Sequence, residues 1–308
     1  MREGPSTIHT LGLGPIELRL VVHDAQIDQA LRERYGSFLV PAPRSESATC
    51  TIDLTRKPLA ALGDPYDVAV EVEPRALRLE SPVVEGRVDL DRRRGSLSVY
   101  LHPRFGAGVY IENALRQIVQ VLAVDRRAFL LHAAAVAHPT RSIVHVFAGK
   151  SGAGKTTISE LLRRRGGLVL SDDLVMVDCR SPHPVLTATP FFGTLREAEP
   201  IRGLRGEIDA LHFLRQSSRV AVHPVANTAT ALAMTLTHVP FADPLDRRHR
   251  ERLLETVAHL VATTKVRQLS FRKDLSFLSA IGWGDLATPW APGRHLAERG
   301  RDLVTPPT

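Results

Sequence analysis

One segment of the chain combines glycines, a lysine and a threonine at the spacing of a phosphate-binding loop. It runs from Gly149 to Thr156, and its sequence is Gly-Lys-Ser-Gly-Ala-Gly-Lys-Thr. Glycines lack a Cβ, so they let backbone N–H groups turn inward around an anion. Lys155 can then reach the β- and γ-phosphates, and the Thr156 hydroxyl can bind Mg²⁺. We therefore predict a nucleotide site for ATP and magnesium, formed by Gly149, Lys150, Ser151, Gly152, Ala153, Gly154, Lys155, Thr156 and Thr157.

The residues around this loop make a chance match improbable. A motif of this kind arises by chance in roughly one chain in a hundred of this length. Here an apolar strand, Val144–Ala148, precedes the loop, and a helix predicted from Thr156 to Arg165 follows it. A structural glycine turn is the alternative interpretation, and strand and helix together argue against it.

Two adjacent carboxylates, Asp172 and Asp173, follow a short apolar strand after the loop's helix. Strand, helix and strand form a right-handed crossover, so we expect the two strands to run parallel and to be neighbours in the sheet. Their carboxyl ends would open onto one crevice, where ligands bind in such sheets. One carboxylate could hold Mg²⁺, and the other could accept the proton of an attacking hydroxyl. Without the loop, a Ser-Asp-Asp turn would be the simpler interpretation.

The elements that must position these residues predict an α/β fold. Alternating apolar and polar residues predict strands in the first hundred residues, and the later sequence mixes strands with helical periodicity. We divide the chain into a strand-rich N-terminal domain (1–105), a P-loop domain (106–290) and a polar tail (291–308). The predicted strands are Pro15–Val22, Cys50–Leu54, Val68–Val72, Ala76–Glu80, Arg87–Asp91, Gly95–Leu101, Leu130–Ala137, Ile143–Ala148, Leu168–Leu170, Ile208–Leu214 and Lys265–Phe271; the predicted helices are Val109–Val124, Thr156–Arg165, Thr228–Thr237 and Arg247–Thr263.

Composition narrows the class of protein and its partners. The 308 residues carry 40 Lys and Arg against 33 Asp and Glu, a formal charge of +7, which favours acidic partners such as nucleotides and acidic peptides. Aromatic residues are only 5% of the chain, and no basic stripe is interleaved with them, so we expect no specific nucleic-acid partner. No secretory signal and no apolar run of membrane-spanning length is present. We expect a cytoplasmic protein with Cys50 and Cys179 as small buried residues; the oligomeric state stays open.

A resemblance to a known family adds to this interpretation. The order Leu131-His132-Ala133, then Phe147 to Thr156, then Leu170-Ser171-Asp172-Asp173 resembles the HPr kinase/phosphorylase family. That family places a histidine before a hairpin, then the loop, then a strand that ends in Asp-Asp. The resemblance covers roughly Val109–Asp178 and implies a fold related to phosphoenolpyruvate carboxykinase. Taken alone, His132 would more often be a packed core or edge residue.

The resemblance also implies roles for individual residues. It implies that Lys155 contacts phosphate, Thr156 binds Mg²⁺, and Asp173 is the base for a serine hydroxyl, with Asp172 and His132 supporting that base. The family's metal-binding glutamate, in a Glu-Ile-Arg-Gly segment, corresponds to Glu199 in Glu199-Pro200-Ile201-Arg202-Gly203, and Glu197 is a rival. Segment Ala210–Gln216 resembles the shorter HPr-kinase-like proteins that accompany peptide natural-product genes, lasso peptides included. Some of those phosphorylate a serine of a precursor peptide.

Three functions are compatible with these residues. The first is an ATP-dependent kinase that acts on a serine hydroxyl of a peptide or protein, or on a small molecule. The second is a P-loop ATPase or nucleotide switch, although the signature of transporter ATPases and the guanine-binding motif are both missing from the sequence. The third is a degenerate homologue that binds nucleotide as a scaffold, which the intact lysine, threonine and aspartate argue against. Four arginines could stabilise transition-state charge, but in so Arg-rich a chain a solvated surface position is the simpler interpretation of each: Arg196, Arg202, Arg205 and Arg215.

Overall fold

The structure, a computed structural model, describes residues 6–40, 49–57, 68–100, 106–193, 195 and 201–284. It is a mixed α/β protein, as the sequence predicts, and its strands form two sheets. Contacts divide the described chain into two units. The first unit holds the residues up to Arg126 together with Phe241–Arg252; the second holds Arg127–Pro240 and the described residues from Leu253 onward.

The boundary between the units falls later than the position predicted at residue 105. The reason is a long helix, α2 (Gly106–Asp125), which packs against helix α1 (Ala25–Tyr35) and against strands of the first sheet. The return of Phe241–Arg252 to the first unit also has no counterpart in the predicted division. The polar tail predicted for 291–308 lies outside the described residues.

The first unit is built on one mixed sheet. Its order is β3-β1-β2-β4-β8-β7-β6-β5; β2, β4 and β8 run parallel to one another, and the remaining neighbours are antiparallel. A 3₁₀ helix, Gly36–Phe38, follows α1. The strands are β1 (Thr7–Leu13), β2 (Ile16–Val22), β3 (Leu39–Val40), β4 (Cys50–Lys57), β5 (Ala69–Glu73), β6 (Ala76–Glu80), β7 (Val84–Asp89) and β8 (Arg94–Tyr100).

The strands predicted in this region are present with shifted ends, but the sequence interpretation missed β1 and helix α1. The helix buries Ile27, Leu31 and Tyr35, which recur every four residues and form a narrow apolar stripe. The Asp24 side chain caps it by accepting the backbone N–H groups of Gln26 and Ile27. That aspartate was the available signal for the helix start.

The second unit contains the candidate loop. Its strands are β9 (Ala128–Ala137), β10 (Ile143–Ala148), β11 (Leu168–Ser171), β12 (Leu174–Asp178), β13 (Val185–Thr187), β14 (Arg205–Gln216), β15 (Ala221–Pro224) and β16 (Lys265–Phe271). Its helices are α3 (Lys155–Arg163), α4 (Thr228–Leu236), α5 (Arg247–Thr263), whose first residues belong to the first unit, and α6 (Leu278–Ile281), which follows a 3₁₀ helix at Leu275–Phe277.

Strand pairing in the second unit closes on itself. Strand β10 pairs with antiparallel β9 on one side and with parallel β14 on the other. Strand β14 also pairs with β13, β13 with β12, and β12 with β9, which completes a ring. Strand β16 continues from β14 in parallel, and β15 follows it. Helix α3 buries Ile158 and Leu162 in a core that also contains Phe147, Phe271 and Trp283.

The predicted neighbourhood of the two strands around α3 is wrong. Strands β10 and β11 do run parallel, but β9 lies between them and pairs antiparallel with each. Strand β11 does end at the acidic pair, as predicted, because its last residue is Ser171. After Asp172 and Asp173 the chain resumes as β12 along the same edge of β9, so the carboxylates occupy a break within one strand line.

Two expectations drawn from composition concern the cysteines and membrane spans. Cys50 and Cys179 are both free and buried, as predicted, and burial raises the pKa of each thiol to about 12. Such thiols stay protonated and unreactive near neutral pH. Within the described part of the chain, no helix is both long and apolar enough to cross a membrane.

Candidate nucleotide site

The loop joins the end of β10 to the start of α3 in the second unit. Ala148 ends the strand, and Lys155 begins the helix. The loop turns tightly, because the Ala153 N–H donates to the Lys150 carbonyl at 3.0 Å. Gly152 and Gly154 have φ values of 78° and 106°, in the region that favours glycine. The result is a compact turn whose first helical N–H groups face the space ahead of α3.

Neighbouring side chains explain why two of the glycines cannot be replaced without movement. A Cβ on Gly154 would lie 2.6 Å from Cζ of Phe271, and one on Gly149 would lie 2.8 Å from the Ala153 Cβ. A Cβ on Gly152 would meet nothing within 4 Å. The Gln216 side chain, at the end of β14, donates to the Gly152 carbonyl at 2.6 Å. The Phe271 ring thus lies against the loop at Gly154, and the Gln216 amide holds the loop at Gly152 by a hydrogen bond.

Lys155 is the buried cation of the site. It is 9% exposed, and its Nζ donates to the Gly149 carbonyl at 2.6 Å. Burial lowers the pKa of Lys155 from its usual value, and the negative charges of Asp173 and Asp172 oppose that shift. The ammonium therefore lies within electrostatic reach of both carboxylates, although they belong to a different part of the sheet.

Strand register explains this proximity. Ala148, the last residue before the loop, pairs with Ala133 of β9. On the other edge of β9, the Ala133 N–H donates to the Asp173 carbonyl at 3.0 Å. The loop and the acidic pair thus flank one residue and are separated by two strand spacings, roughly 10 Å. The loop and the acidic pair thus lie near one another, but across an intervening antiparallel strand.

Asp172 is the more deeply buried member of the acidic pair, at 4% exposure. Its Oδ1 accepts the Gly193 N–H at 2.9 Å, and its Oδ2 accepts the Leu195 N–H at 3.1 Å. A Cβ on Gly193 would lie 3.1 Å from Oδ2, so the backbone approaches the carboxylate closely. Asp172 therefore ties Gly193 and Leu195 to the break between β11 and β12.

Asp173 is more accessible and pairs with the candidate histidine. Its Oδ1 lies 3.3 Å from Nδ1 of His132, and the two side chains are 21% and 41% exposed. His132 lies within β9, opposite Leu174. The Asp173 N–H donates to the Ser171 hydroxyl at 3.2 Å, and that hydroxyl donates to the Phe191 carbonyl at 3.0 Å. The carboxylate thus stands on a rigid, hydrogen-bonded turn.

The sequence interpretation missed His238, which follows helix α4. Its carbonyl accepts the backbone N–H of His132 at 2.8 Å, and its ring centroid lies 5.3 Å from that of Phe213. Burial lowers the pKa of His238, and the charges of Lys155 and Lys150 lower it further. A histidine after a predicted helix, far along the chain from the motif, gave no signal in the sequence.

The residues present fit a bound polyphosphate. An open, positive-φ glycine turn, a helix N-terminus and a buried lysine are the donors that an anion of this kind requires. For Mg²⁺, the oxygen donors are Thr156, at the start of α3, and Asp172, whose two oxygens already accept backbone N–H groups. Among the described residues, no group of three or more His, Cys, Asp and Glu side chains is arranged to hold a metal ion.

The remaining predicted residues lie outside the described part of the chain, on its surface or in α3. Glu199, its rival Glu197 and Arg196 lie outside the described residues. Arg202, Arg205 and Arg215 are exposed, as expected of surface residues. Thr157 is half-buried in the first turn of α3.

Comparison with known proteins finds no protein-family model that matches this chain and no curated protein that matches its sequence.

Proposed function

We propose that this protein is an ATP-dependent kinase of the HPr kinase/phosphorylase type that transfers the γ-phosphoryl group to a serine hydroxyl. The observation that carries the proposal is that Ala148, just before the loop, and Asp173 both neighbour Ala133, with Lys155 in electrostatic reach of Asp173. A lysine for the phosphates and a carboxylate for the acceptor are the two groups that in-line phosphoryl transfer requires. A structural Ser-Asp-Asp turn would not need to face a nucleotide loop.

The chain's own residues supply the steps of the transfer. The serine oxygen attacks the γ-phosphorus, the bond from that phosphorus to the β–γ bridging oxygen breaks, and ADP leaves with the bond's electron pair. The carboxylate of Asp173 accepts the hydroxyl proton as the new P–O bond forms. Lys155 offsets the negative charge on the transferring group. Magnesium, held by Thr156 and Asp172, would neutralise phosphate charge when it is bound.

In this scheme His132 orients the carboxylate of Asp173 and does not contact the acceptor hydroxyl. Its Nδ1 stands 3.3 Å from Oδ1 of Asp173 and fixes one carboxylate oxygen. His132 is itself fixed, because its backbone N–H bonds to the His238 carbonyl and its strand pairs with Leu174. A base that is oriented by a strand residue keeps a constant distance to the reacting hydroxyl.

A peptide or protein is the acceptor class that we propose, with the precursor of a ribosomal peptide natural product as the specific case. Two observations support it. The formal charge of +7 favours acidic partners, and the His132–Asp173 pair is open enough to admit a side chain from a larger substrate. A small-molecule acceptor would need the same catalytic residues.

The test combines the purified protein with Mg²⁺, ATP and a panel of serine-containing peptides, including candidate precursors encoded beside its gene. We expect a peptide product heavier by one phosphoryl group, with the phosphate on serine, and ADP released in equal amount. Release of inorganic phosphate at the same rate with and without peptide would instead indicate the ATPase or switch. ATP binding without any turnover would indicate the scaffold.

A further inference from the structure

His238 contacts both strands that flank the start of the nucleotide loop. On one side its carbonyl accepts the His132 N–H from β9 at 2.8 Å. On the other side its ring packs on Phe213 of β14, with the ring planes inclined at 56°. Ala148, the residue just before the loop, pairs with Ala133 next to His132 and with Phe213 itself. His238 is thereby placed at the end of β10, where the loop begins.

Hydrogen bonding defines which nitrogen of the ring is available to a ligand. Nδ1 of His238 lies 2.8 Å from the Met234 carbonyl and 3.1 Å from the Thr237 hydroxyl. A carbonyl oxygen can only accept, so Nδ1 carries the proton. In the neutral ring Nε2 is then the unprotonated nitrogen, and within the described chain no side chain or backbone group forms a hydrogen bond with it.

The surrounding charges keep this imidazole neutral in the free protein. Burial is the largest cause of its lowered pKa, and Lys155 and Lys150 from the loop and α3 lower it further. The bond to the Met234 carbonyl opposes them. Strand β14 presents the apolar Phe213, and β9 presents His132, whose side chain pairs with Asp173. The positive charges that act on His238 are therefore those of Lys155 and Lys150, the lysines that would receive the phosphates.

We propose that His238 is a phosphate ligand that takes up one proton when a nucleotide binds. The inference rests on the proposed function, because it requires a polyphosphate in the loop. A bound triphosphate brings negative charge that outweighs the two lysines, so the imidazolium form becomes favoured. Nε2 is then protonated from solvent and donates a charge-assisted hydrogen bond to a phosphate oxygen, while Nδ1 keeps its bond to the Met234 carbonyl.

The sign of the pH dependence follows from linkage. In the free protein the pKa of His238 lies below 6.5, and the inference requires a higher pKa in the complex. Between those two values the complex holds a proton that the free protein lacks. ATP therefore binds more tightly as the pH falls. The part of the affinity that comes from the protonated ring is lost as the pH rises through the pKa of His238 in the complex.

The experiment measures MgATP binding by titration calorimetry at pH 6, 7 and 8, in buffers with different ionisation enthalpies. The variant is His238→Asn, whose amide can replace Nδ1–H toward Met234 and whose backbone carbonyl still serves His132. The control is His223→Asn, which removes an exposed histidine of β15 in the same unit. Titration of the γ-phosphate is common to all three proteins and cancels in the comparison.

We expect the wild type and His223→Asn to take up a substantial fraction of a proton per ATP at pH 7. Their affinity should fall about 3- to 10-fold from pH 6 to pH 8, since one pKa unit corresponds to a factor of ten. His238→Asn should lose the uptake and most of the pH dependence. Unchanged proton uptake in His238→Asn would overturn the inference and leave the proposed kinase intact. A wild type that binds no MgATP at any of these pH values would overturn both.

A second measurement avoids dependence on the variant's folding. In the wild type labelled at histidine, the ring signals of His238 can be titrated by NMR with and without MgATP. We expect the pKa to rise on binding and Nδ1 to remain protonated throughout. A pKa that is the same in the free protein and in the complex would overturn the inference.

Discussion

Nδ1 of His132 lies 3.3 Å from Oδ1 of Asp173, and the two residues reach this position from opposite sides of a strand pairing. His132 is part of β9, whereas Asp173 belongs to the break between β11 and β12 on the edge of that strand. Because Asp173 lies in this break, its carboxylate does not follow the regular alternation of side chains along a strand. In this pair the imidazole of His132 fixes one oxygen of the Asp173 carboxylate.

Replacing Asp173 by asparagine tests the proposed base directly. The Asp173→Asn side chain has nearly the same shape but cannot accept the hydroxyl proton. We expect ATP binding to stay within a few-fold of the wild type and phosphoryl transfer to fall by about 10²- to 10⁴-fold, the usual contribution of a general base. Calorimetry of MgATP binding and a phosphopeptide assay measure the two quantities. Equal transfer by variant and wild type would remove Asp173 from the mechanism.

The role of His132 is tested by a double-mutant cycle with Asp173. His132→Ala leaves the base in place but no longer orients it, so we expect a smaller loss of transfer than for Asp173→Asn. Once the base is absent, removal of His132 should cost little more, because residues that act as a unit are non-additive. The measurement is kcat for the two single variants and the double variant. Strictly additive losses would show that the 3.3 Å contact has no part in catalysis.

Lys155→Ala should weaken ATP binding and abolish turnover together. The lysine is almost fully buried, and its ammonium donates to the Gly149 carbonyl within electrostatic reach of Asp172 and Asp173. Lys265→Ala is the matched control, because Lys265 lies in the same unit, is exposed and forms an ion pair with Asp209. We expect the control to bind ATP normally. Unchanged turnover in Lys155→Ala would contradict the loop assignment.

Much of the second unit could be predicted because its elements have strong local signals. The strands Ile143–Ala148 and Lys265–Phe271 and the helix Arg247–Thr263 occur with the predicted bounds. Apolar runs of strand length, bounded by turn residues, define such elements without tertiary information. The glycine turn and its helix were equally local.

Strand order could not be predicted in the same way, because it depends on pairing between distant segments. The crossover rule gives the direction of β11 relative to β10, but it does not say whether a third strand lies between them. Strand β9 occupies that place and pairs with both. The position of His238 depends on the same long-range pairing, which is why the sequence offered no reason to select it. The acidic break within one strand line is likewise visible only in the register.

Gly154→Ala is expected to distort the loop through a defined contact. The new Cβ would lie 2.6 Å from Phe271, in addition to the strain of φ at 106°. Gly152→Ala is the matched control, because φ is 78° there and nothing lies within 4 Å of the Cβ. Both should lose roughly 1–2 kcal/mol to the left-handed conformation. Only Gly154→Ala should lose a further ~1–3 kcal/mol through overpacking.

Urea unfolding of both variants, followed by circular dichroism, measures this difference. The double variant Gly154→Ala, Phe271→Leu should recover part of the overpacking loss, because the clashing ring is gone. Equal losses for the two single variants would show that the ring of Phe271 does not support the loop.

Two buried histidines should make the second unit sensitive to acid. His145 and His212 stack at 5.9 Å in the core, and in the described chain their ring nitrogens have no hydrogen-bond partner. The nearest carboxylate oxygen to His145 is that of Asp209, at 3.9 Å, too far for a hydrogen bond. Burial is the main cause that lowers the pKa of His145 to about 4 and that of His212 to about 3.

The direction of the effect follows from proton counts. Unfolded histidines titrate near 6.5, so below that pH the unfolded chain binds protons that the folded chain refuses. The contribution of these two histidines to stability is therefore constant above about pH 7 and falls progressively below about pH 6.5, down to about pH 4 for His145 and about pH 3 for His212. At neutral pH both imidazoles are neutral in the folded protein, and within the described chain their buried ring nitrogens form no hydrogen bond.

His212→Phe should relieve both costs. The phenyl ring can stack on Phe147, whose ring centroid lies 5.5 Å from the imidazole, and it removes two unpaired buried nitrogens, each of which costs about 1–3 kcal/mol. We expect a higher urea midpoint at pH 7 and a shallower decline between pH 6.5 and pH 4. His223→Phe, at an exposed site, should change neither. A His212→Phe protein with the same acid limb as the wild type would show that His212 is not the titrating group, and a lower midpoint at pH 7 would show that its nitrogens are satisfied in solution.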